Sequence, residues 1–317
     1  MEKTNMPLFS VIVPVYNAEK TITRCVESII GSGKDDVEIV LVEDHGKDGS
    51  VAVCEQLAAN YPQVKFFRNE VNRGVSFTRN RAIDNATGEY LLFVDSDDYI
   101  AKEYVPTFKA LVEKGVEFAI CGYYNHDEAH SGICDARGWD FDGEKDCTLQ
   151  EVIENIHAKT LLQQLWNKVF VTAKVKGANV RFDESISIGE DTRFILDYIQ
   201  NNQVKKVTLV NLPLYHYMRD NNGSLMYKVG YESIEEPLKN LRKMYEIMGL
   251  SAAEIEERIA QDRDRIIGSY AYLIMHNVGM KLGEKKRLIA KLGKGNGLFW
   301  AQYKTYLKEK ISKILRR

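Results

Sequence analysis

The sequence predicts an α/β fold in which a mostly parallel, doubly wound sheet is followed by a helical C-terminal region. Over the first 120 residues, short apolar runs typical of buried strands alternate with segments of helical spacing. Clusters of polar residues follow the strands, where an α/β sheet would gather them at one edge. From about Tyr231 onward, every long segment has helical periodicity.

The N-terminal elements follow one another in alternation. Apolar runs predict strands over residues 9–14, 37–42, 64–67, 90–94 and 118–121. Helical spacing predicts helices over residues 19–30, 50–59, 75–86 and 102–114. Ser50 is the expected N-cap of the second helix, because a serine hydroxyl can accept a bond from the first turn.

Residues 122–146 interrupt the alternation, and their Asp, Gly and His content predicts a loop or an irregular hairpin. Thr148 and Glu151 have the spacing of a capping box. Helices are predicted over residues 148–156 and 193–201, and short strands over residues 207–209 and 214–217. We expect a domain of residues 1–225, made of halves 1–121 and 122–225, and a helical region of residues 226–317.

Composition limits the classes of function. The 43 Lys and Arg residues against 45 Asp and Glu residues give a net charge of −2, which offers no basis for nucleic-acid binding. The N-terminus lacks a signal-peptide layout, and no apolar run approaches the ~20 residues that span a bilayer. Five scattered cysteines predict reduced thiols, so the expected location is the cytoplasm.

Three carboxylates end the fourth predicted strand. The apolar run Tyr90-Leu91-Leu92-Phe93-Val94 is followed by Asp95-Ser96-Asp97-Asp98. Carboxylates repel one another, and burying one unpaired is costly, so their clustering indicates a cation. Asp95 and Asp97 fall on one side of an extended chain, and carboxylate oxygens are suited to Mg²⁺ or Mn²⁺.

Polar clusters also follow the other strands. Val13-Pro14-Val15-Tyr16-Asn17 ends the first strand, and Pro14 is expected to stop strand pairing and leave Tyr16 and Asn17 exposed to a ligand. Glu43-Asp44-His45-Gly46 ends the second strand. Asn72-Arg73-Gly74 leads into a helix containing Thr78-Arg79-Asn80, whose free N–H groups and Arg79 suit a phosphate.

Further motifs occur in the second half, namely Trp166-Asn167-Lys168-Val169-Phe170, Gly189-Glu190-Asp191 and Tyr215-His216-Tyr217-x-Arg219. With these motifs in this order, residues 8–225 resemble a family-2 glycosyltransferase with the GT-A nucleotide-diphospho-sugar fold. The resemblance is to enzymes that build bacterial capsule and exopolysaccharide.

The resemblance implies an inverting, metal-dependent transfer of a sugar from a nucleotide-sugar donor, with UDP as the expected nucleotide. The acceptor would be an oligosaccharide or a lipid-linked glycan. The nucleotide-sugar site would comprise Pro14, Tyr16, Asn17, Asp44, Arg79, Asp95 and Ser96. Within that site, Asp44 would contact the uracil or ribose, Arg79 the diphosphate or base, and Asp95 the ribose.

The resemblance also implies the catalytic groups. Asp97 would coordinate Mn²⁺ or Mg²⁺, and Asp191 of the Glu190-Asp191 pair would be the general base. A sugar hydroxyl is too weak an acid to attack unaided, and the departing diphosphate needs its charge stabilised. Repulsion from Glu190 is expected to raise the pKa of one carboxyl group. In the alternative interpretation, the two acidic side chains only stabilise the start of a helix by interacting with its dipole.

Two other functions are considered. A sugar nucleotidyltransferase is disfavoured because no glycine-rich loop follows the first strand. A non-catalytic sugar-nucleotide-binding subunit is disfavoured by the intact Asp95-x-Asp97 and Glu190-Asp191 motifs. The family often has a small residue where this chain has His45, which puts the conformation of that loop in question. His216 is expected either to touch the diphosphate or to pack within a strand, and Trp166 either to be structural or to stack on an acceptor sugar.

The C-terminal tail is strongly basic. The segment from Lys281 to Arg317 contains twelve Lys or Arg residues and only two Glu residues. Apolar side chains recur at helical intervals over residues 300–317. Such a helix either lies on an anionic membrane surface, at the inner face of the plasma membrane, or packs its apolar side on the protein. The sequence leaves both alternatives open.

Overall fold

The computed structural model describes residues 6–127, 132–155, 160–219, 234–276 and 280–315. Within these ranges only the backbone is described for residues 127, 132–135, 219, 273, 293–296 and 309–315.

The described residues form a ten-stranded sheet with helices packed on it. The strands are β1 Phe9–Val15, β2 Val37–Glu43, β3 Val64–Arg68, β4 Tyr90–Phe93, β5 Tyr99–Ile100, β6 Ala119–Asp127, β7 Gly132–Arg137, β8 Glu144–Thr148, β9 Lys168–Val171 and β10 Lys206–Arg219. The helices between them are α1 Ile22–Gly33, α2 Ser50–Asn60, α3 Val75–Asn85, α4 Tyr104–Glu113, α5 Leu149–Glu154, α6 Thr172–Gly177 and α7 Glu190–Asn201.

The first four strands form the parallel part of the sheet. β1 lies between β2 and β4, and β3 lies outside β2, with each neighbouring pair parallel. Every residue of β2 is buried, and β1 is buried except for the half-buried Pro14, because helices cover both faces. The predicted α/β class is confirmed here, and the predicted alternation of strands and helices is present.

The rest of the sheet is mixed. Its order continues β4-β9-β6-β10-β5, in which β6 and β10 are parallel and the other neighbours are antiparallel. The predicted irregular hairpin forms from β6 and β7, with a register shift between Asn125 and His126. β10 is one continuous strand, whereas two short strands were predicted. Its ladder with β6 shifts register around Pro213 and then resumes, so the proline does not end the strand.

Two helix starts were predicted from their caps, with different results. The capping box between Thr148 and Glu151 is present at the start of α5. Ser50, in contrast, is the first residue of α2 rather than its N-cap. Its hydroxyl donates to Asp48 and accepts from the Ala18 N–H, so the prediction was wrong because a longer-range contact took the hydroxyl.

The chain divides into two compact units. The first comprises Met1–Ile186 and Glu190–Arg219, and the second Ser187–Gly189 and Asp220–Arg317. The second unit contains α8 Glu235–Ile247, α9 Ala252–His276, α10 Leu282–Ile289 and α11 Gly295–Leu315, with a π-helical turn at Ala290–Lys294. The expected boundary at residue 225 lies outside the described residues and stays a prediction.

Among the described residues, no helix has the length and apolar character needed to cross a lipid bilayer. The four cysteines whose side chains are described are free thiols: Cys25, Cys54, Cys121 and Cys147. The side chain of Cys134 lies outside the described residues.

Candidate active site

Arg79 joins three carboxylates from distant parts of the chain. Its guanidinium, on α3, is buried with the residue only 4% exposed. Nη1 donates to Asp191 Oδ1 at 2.8 Å and to Glu190 Oε1 at 3.4 Å, and Nη2 donates to Asp95 Oδ1 at 3.0 Å. The predicted donor-site residues Arg79 and Asp95 and the predicted catalytic pair therefore lie in one cluster, which we call the Arg79 cluster.

The Arg79 cluster changes the acidity of Asp191. Burial raises the pKa of Asp191 to about 7, repulsion from Glu190 and Asp95 adds to the rise, and Arg79 opposes it. The expected like-charge effect is thus present, but burial contributes more. The Asp191 side chain is still 25% exposed, so it is not sealed from solvent. A carboxylate whose pKa lies near neutrality suits general base catalysis.

The three carboxylates after β4 have separate surroundings. Asp95 pairs with Arg79, and its N–H donates to Tyr215 Oη at 3.1 Å. Asp98 is buried, where it accepts from Tyr215 Oη at 2.7 Å and from the Met218 N–H at 2.7 Å. Burial and the neighbouring Asp97 and Asp95 raise the pKa of Asp98 well above its usual value. Asp98, unassigned from sequence, therefore anchors β10 to the loop that carries Asp95.

Asp97, the predicted metal ligand, lies in the loop after β4, and its role as a ligand stays a prediction. It is exposed, and its backbone carbonyl accepts from Arg24 Nη2 at 2.6 Å, which holds the loop to α1. Within the described ranges, no three or more His, Cys, Asp or Glu side chains are grouped so as to hold a metal alone. An exposed carboxylate fits Mg²⁺ or Mn²⁺, which often take one or two protein carboxylates and complete their shell with phosphate oxygens and water.

The turn after β1 has the exposed residues that were predicted. Pairing of β1 with β4 ends at Ile12 and Phe93, whereas pairing with β2 continues to Val15. Pro14 therefore ends the ladder on the β4 side only. Tyr16 is 50% exposed, and Asn17 is exposed with its Oδ1 accepting from the Lys47 N–H at 2.8 Å. Ser96 is half-buried in the loop after β4.

Asp44 organises the loop before α3. It is buried, and its Oδ1 accepts from Asn69 Nδ2 and from the Arg73 N–H, both at 2.8 Å. Its Oδ2 accepts from the Gly74 N–H at 2.8 Å. The carboxylate thus fixes the start of the helix that carries Arg79. Its contact with a nucleobase or ribose stays a prediction.

The loop at His45 adopts a conformation that tolerates the unusual residue. His45 has φ of 55°, in the left-handed region, and its side chain is exposed. Glu43 is buried and accepts from the Gly46 N–H, which closes the turn. A Cβ at Gly46 would lie 2.8 Å from Asn17 Oδ1, so a larger residue here would displace that side chain.

Trp166 and His216 lie within stacks of aromatic rings. Trp166 is buried and stacks on Tyr215 with ring centroids 4.1 Å apart, so its role is structural. His216 stacks on Tyr99 at 4.2 Å, and its Nδ1 is 2.8 Å from His126 Nε2. Burial and the neighbouring His126 lower the pKa of His216 to about 4. His216 is half-buried among these rings, and its contact with the diphosphate stays a prediction.

Comparison with known proteins identifies the family. A model described as "Glycosyl transferase family 2" matches residues 10–173, which is more than half of the chain. The protein belongs to glycosyltransferase family 2. The predicted family is confirmed, and the protein is a glycosyltransferase.

Curated relatives are named as glycosyltransferases. The uncharacterized glycosyltransferase EpsJ of Bacillus subtilis is 29% identical over 76% of this chain and 68% of its own length. Glycosyltransferase GlyG of Streptococcus pneumoniae is 30% identical over 69% of this chain and 73% of its own. The poly(ribitol-phosphate) β-N-acetylglucosaminyltransferase TarS of Staphylococcus aureus is 28% identical over 84% of this chain, but the match spans only 44% of TarS.

Solved structures confirm the fold class. Residues 1–349 of S. aureus TarS, in complex with UDP-GlcNAc, match with a TM-score of 0.62 and 21% identity, over 95% of this chain and 92% of that one. The mannosyltransferase PcManGT of Pyrobaculum calidifontis, in complex with GDP-mannose and Mn²⁺, matches with a TM-score of 0.52 and 15% identity, over 98% and 88% of the two chains. At these identities the likeness establishes the GT-A-like fold.

Proposed function

We propose that this family-2 glycosyltransferase transfers a sugar from a nucleotide-sugar, with UDP-sugars as the first donors to test, to a glycan acceptor of bacterial surface polysaccharide. The observation that carries the proposal is the Arg79 cluster, in which a carboxyl group with a pKa near neutrality lies beside the predicted donor carboxylate. The UDP-GlcNAc complex of TarS and the names of the relatives support the choice of donor and product.

The proposed reaction inverts the anomeric centre by a single displacement. Asp191 accepts the proton of the acceptor hydroxyl, whose oxygen attacks the anomeric carbon while the nucleoside diphosphate leaves. Glu190 supports Asp191 by raising the pKa of its carboxyl group. The proposed contacts for the nucleotide are Pro14, Tyr16, Asn17, Asp95 and Ser96. Pro14 lies near the end of β1, and the other four lie in the turns that follow β1 and β4.

For Arg79 and Asp44 we propose roles in shaping the site, whereas the resemblance implies direct contacts with the donor. Both Nη atoms of Arg79 donate to carboxylates, so Arg79 sets the geometry between Asp191 and Asp95. Its Nε is buried and lacks a hydrogen-bond partner among the described residues. Asp44 acts on the loop before α3, so we propose that it shapes the donor site through Gly74.

A divalent cation belongs to the proposed reaction. Asp97 would hold Mn²⁺ or Mg²⁺, because it is the exposed carboxylate of the Asp95-x-Asp97 motif. When bound, the cation would neutralise the charge that develops on the departing diphosphate. The Mn²⁺ in the complex of PcManGT supports this choice of metal.

The test is the release of UDP from a panel of UDP-sugars in the presence of Mn²⁺, with and without EDTA. We expect release from at least one donor and its loss with EDTA. Asp191→Asn should reduce release at least a hundredfold while UDP binding is retained, because the base is gone but the nucleotide contacts remain. Asp97→Asn should weaken the metal dependence instead.

Three results would contradict the proposal. If no donor shows metal-dependent release of UDP or metal-dependent binding, the metal-dependent transfer is rejected. Loss of UDP binding in Asp191→Asn would make Asp191 structural. Metal-dependent UDP binding without turnover would favour the non-catalytic sugar-nucleotide-binding subunit.

We also propose that α10 and α11 contact an anionic membrane surface. Trp300 is 56% exposed, Leu282 48% and Leu307 39%, all within a segment that carries ten net positive charges. Phe299, in contrast, is buried, so part of α11 packs on its own unit. Exposed apolar side chains among lysines are typical of helices that lie in a membrane interface.

A further inference from the structure

Asn240 is a polar residue on the buried face of α8. Leu238, Leu241 and Met244 of the same helix are buried with it. A buried amide is costly unless its hydrogen bonds are made. Asn240 Nδ2 donates to the carbonyl oxygen of Gly189 at 2.8 Å. Both residues belong to the second unit.

Gly189 is adapted to this contact in two ways. Its φ is +86°, a conformation that residues with a side chain rarely adopt. A Cβ at this position would lie 2.9 Å from Asn240 Nδ2, so any other residue would push the amide away. The backbone conformation and the close approach therefore both require glycine.

The peptide group that Asn240 holds leads directly into the catalytic helix. The carbonyl of Gly189 and the N–H of Glu190 belong to one planar unit, so fixing one orients the other. Glu190 is the first residue of α7 and Asp191 the second. The bond from Asn240 therefore holds the carbonyl of the residue that immediately precedes α7.

The opposite side of the Arg79 cluster is built in the same way. α3, which carries Arg79, begins after Gly74, whose φ is also +86°. Asp44 accepts from the Gly74 N–H, just as Asn240 donates to the Gly189 carbonyl. Each helix that brings a charged group to the Arg79 cluster thus starts at a glycine that a buried side chain holds in place.

We propose that Asn240 is a positioning residue for the general base Asp191 and acts through the Gly189 peptide group. The proposal rests on the proposed function, in which Asp191 is the base. A displacement of about 1 Å in a reacting group can cost a hundredfold in rate, so a small change at Gly189 would be felt at the next helix residues.

The experiment compares variants of the full chain. Asn240→Leu removes the side-chain hydrogen-bond donor while keeping a similar volume. Asn240→Ser leaves a side chain that is too short to reach the Gly189 carbonyl. Tyr245→Phe is the matched control, since it removes another buried hydrogen bond of α8, which runs to Asp262. UDP release from the donor selected by the screen is measured with Mn²⁺, and kcat is expressed per UDP-binding site so that misfolded protein does not count.

We expect kcat to fall roughly ten- to a hundredfold in both Asn240 variants, with KM for the donor unchanged. Tyr245→Phe should retain the kcat of the wild type. Hydrogen exchange of the peptide spanning residues 187–199 should accelerate in the Asn240 variants alone. A kcat per site equal to that of the wild type in both Asn240 variants would overturn the proposal.

The two proposals fail separately. If Asp191→Asn keeps full activity, the assignment of the base is wrong, and the role of Asn240 is then decided by hydrogen exchange. Unchanged exchange in the peptide spanning residues 187–199 would show that Asn240 does not hold the start of α7. If Asp191→Asn is inactive and the Asn240 variants are fully active, only the positioning role is rejected.

Discussion

Asp191 is the residue whose chemistry depends most on its surroundings. In water an aspartate is ionised at neutral pH and is a weak base. Burial beside Glu190 and Asp95 raises its pKa to about 7, and the ion pair with Arg79 limits that rise. The balance keeps a fraction of Asp191 ionised near neutrality while making its carboxylate more basic.

The pH dependence of kcat follows from this balance. The proposed base Asp191 must be deprotonated to act, so kcat should rise with pH through about 7 and level off above it. Glu190→Gln removes a neighbouring negative charge that raises the pKa of Asp191, so the rise should move to lower pH. The measurement is kcat against pH for the wild type and the variant.

Glu184→Gln is the control for this shift. Glu184 is an exposed carboxylate that pairs with Arg73, outside the Arg79 cluster. It should leave the pH profile unchanged. A shift of equal size in both variants would mean that general surface charge, rather than the contact with Glu190, sets the profile.

At the scale of elements, the start of α3 depends on one glycine. Gly74 has φ of 86° and ψ of 165°, a combination reserved almost entirely for glycine. Asp44 accepts from the N–H groups of Arg73 and Gly74 in that conformation. Gly74→Ala should therefore lower the free energy of unfolding of the first unit by about 1–3 kcal/mol, as measured by denaturant titration.

Gly31→Ala is the matched control. Gly31 lies in α1, and no atom from outside its own stretch of the helix is within 4 Å of the position of its added Cβ. Alanine favours a helix over glycine, so this change should stabilise the unit by up to about 1 kcal/mol. Equal destabilisation by the two substitutions would contradict the role given to the backbone of Gly74.

β10 is hydrogen-bonded to the acidic loop that follows β4. Tyr215 Oη accepts from the Asp95 N–H and donates to Asp98, so one side chain links two residues of the loop. Trp166 stacks against the Tyr215 ring. This packing gives Tyr215 a structural role, because it holds the acidic loop in shape.

On the scale of the whole molecule, the two units carry different charge. The basic residues of the tail lie in the second unit, whereas the Arg79 cluster lies in the first. An enzyme with a lipid-linked acceptor gains from contact with the membrane, since contact raises the local concentration of acceptor. The proposed membrane contact of α10 and α11 therefore suits the proposed reaction.

Liposome binding tests this contact. Trp300→Ala with Leu307→Ala should reduce sedimentation with vesicles of anionic lipid, because both side chains are exposed on α11. Binding should also fall steeply with salt, as expected of a lysine-rich surface. Leu212→Ala, an exposed residue of the first unit, is the control and should not change sedimentation. Binding that is equal in all variants and insensitive to salt would favour packing of the tail on the protein.

Much of the fold follows from local patterns. The apolar runs of β1, β2 and β4 are buried on both faces, so they could be recognised without knowledge of their partners. The family followed from motifs at strand ends, such as Asp95-Ser96-Asp97-Asp98. The continuity of β10 through Pro213 could not be predicted, because it depends on pairing with β6, which is distant in sequence.

By itself, the sequence determined the fold class, the family and which charged residues lie at the ends of strands, because each of these depends on residues close together in the chain. Only the tertiary structure decided how those charges combine. Arg79 meets Asp191 across 112 positions of sequence, and Asn240 meets Gly189 across 51. Burial and partners set the pKa of a carboxylate and the direction of a helix, and both come from parts of the chain that no local pattern connects.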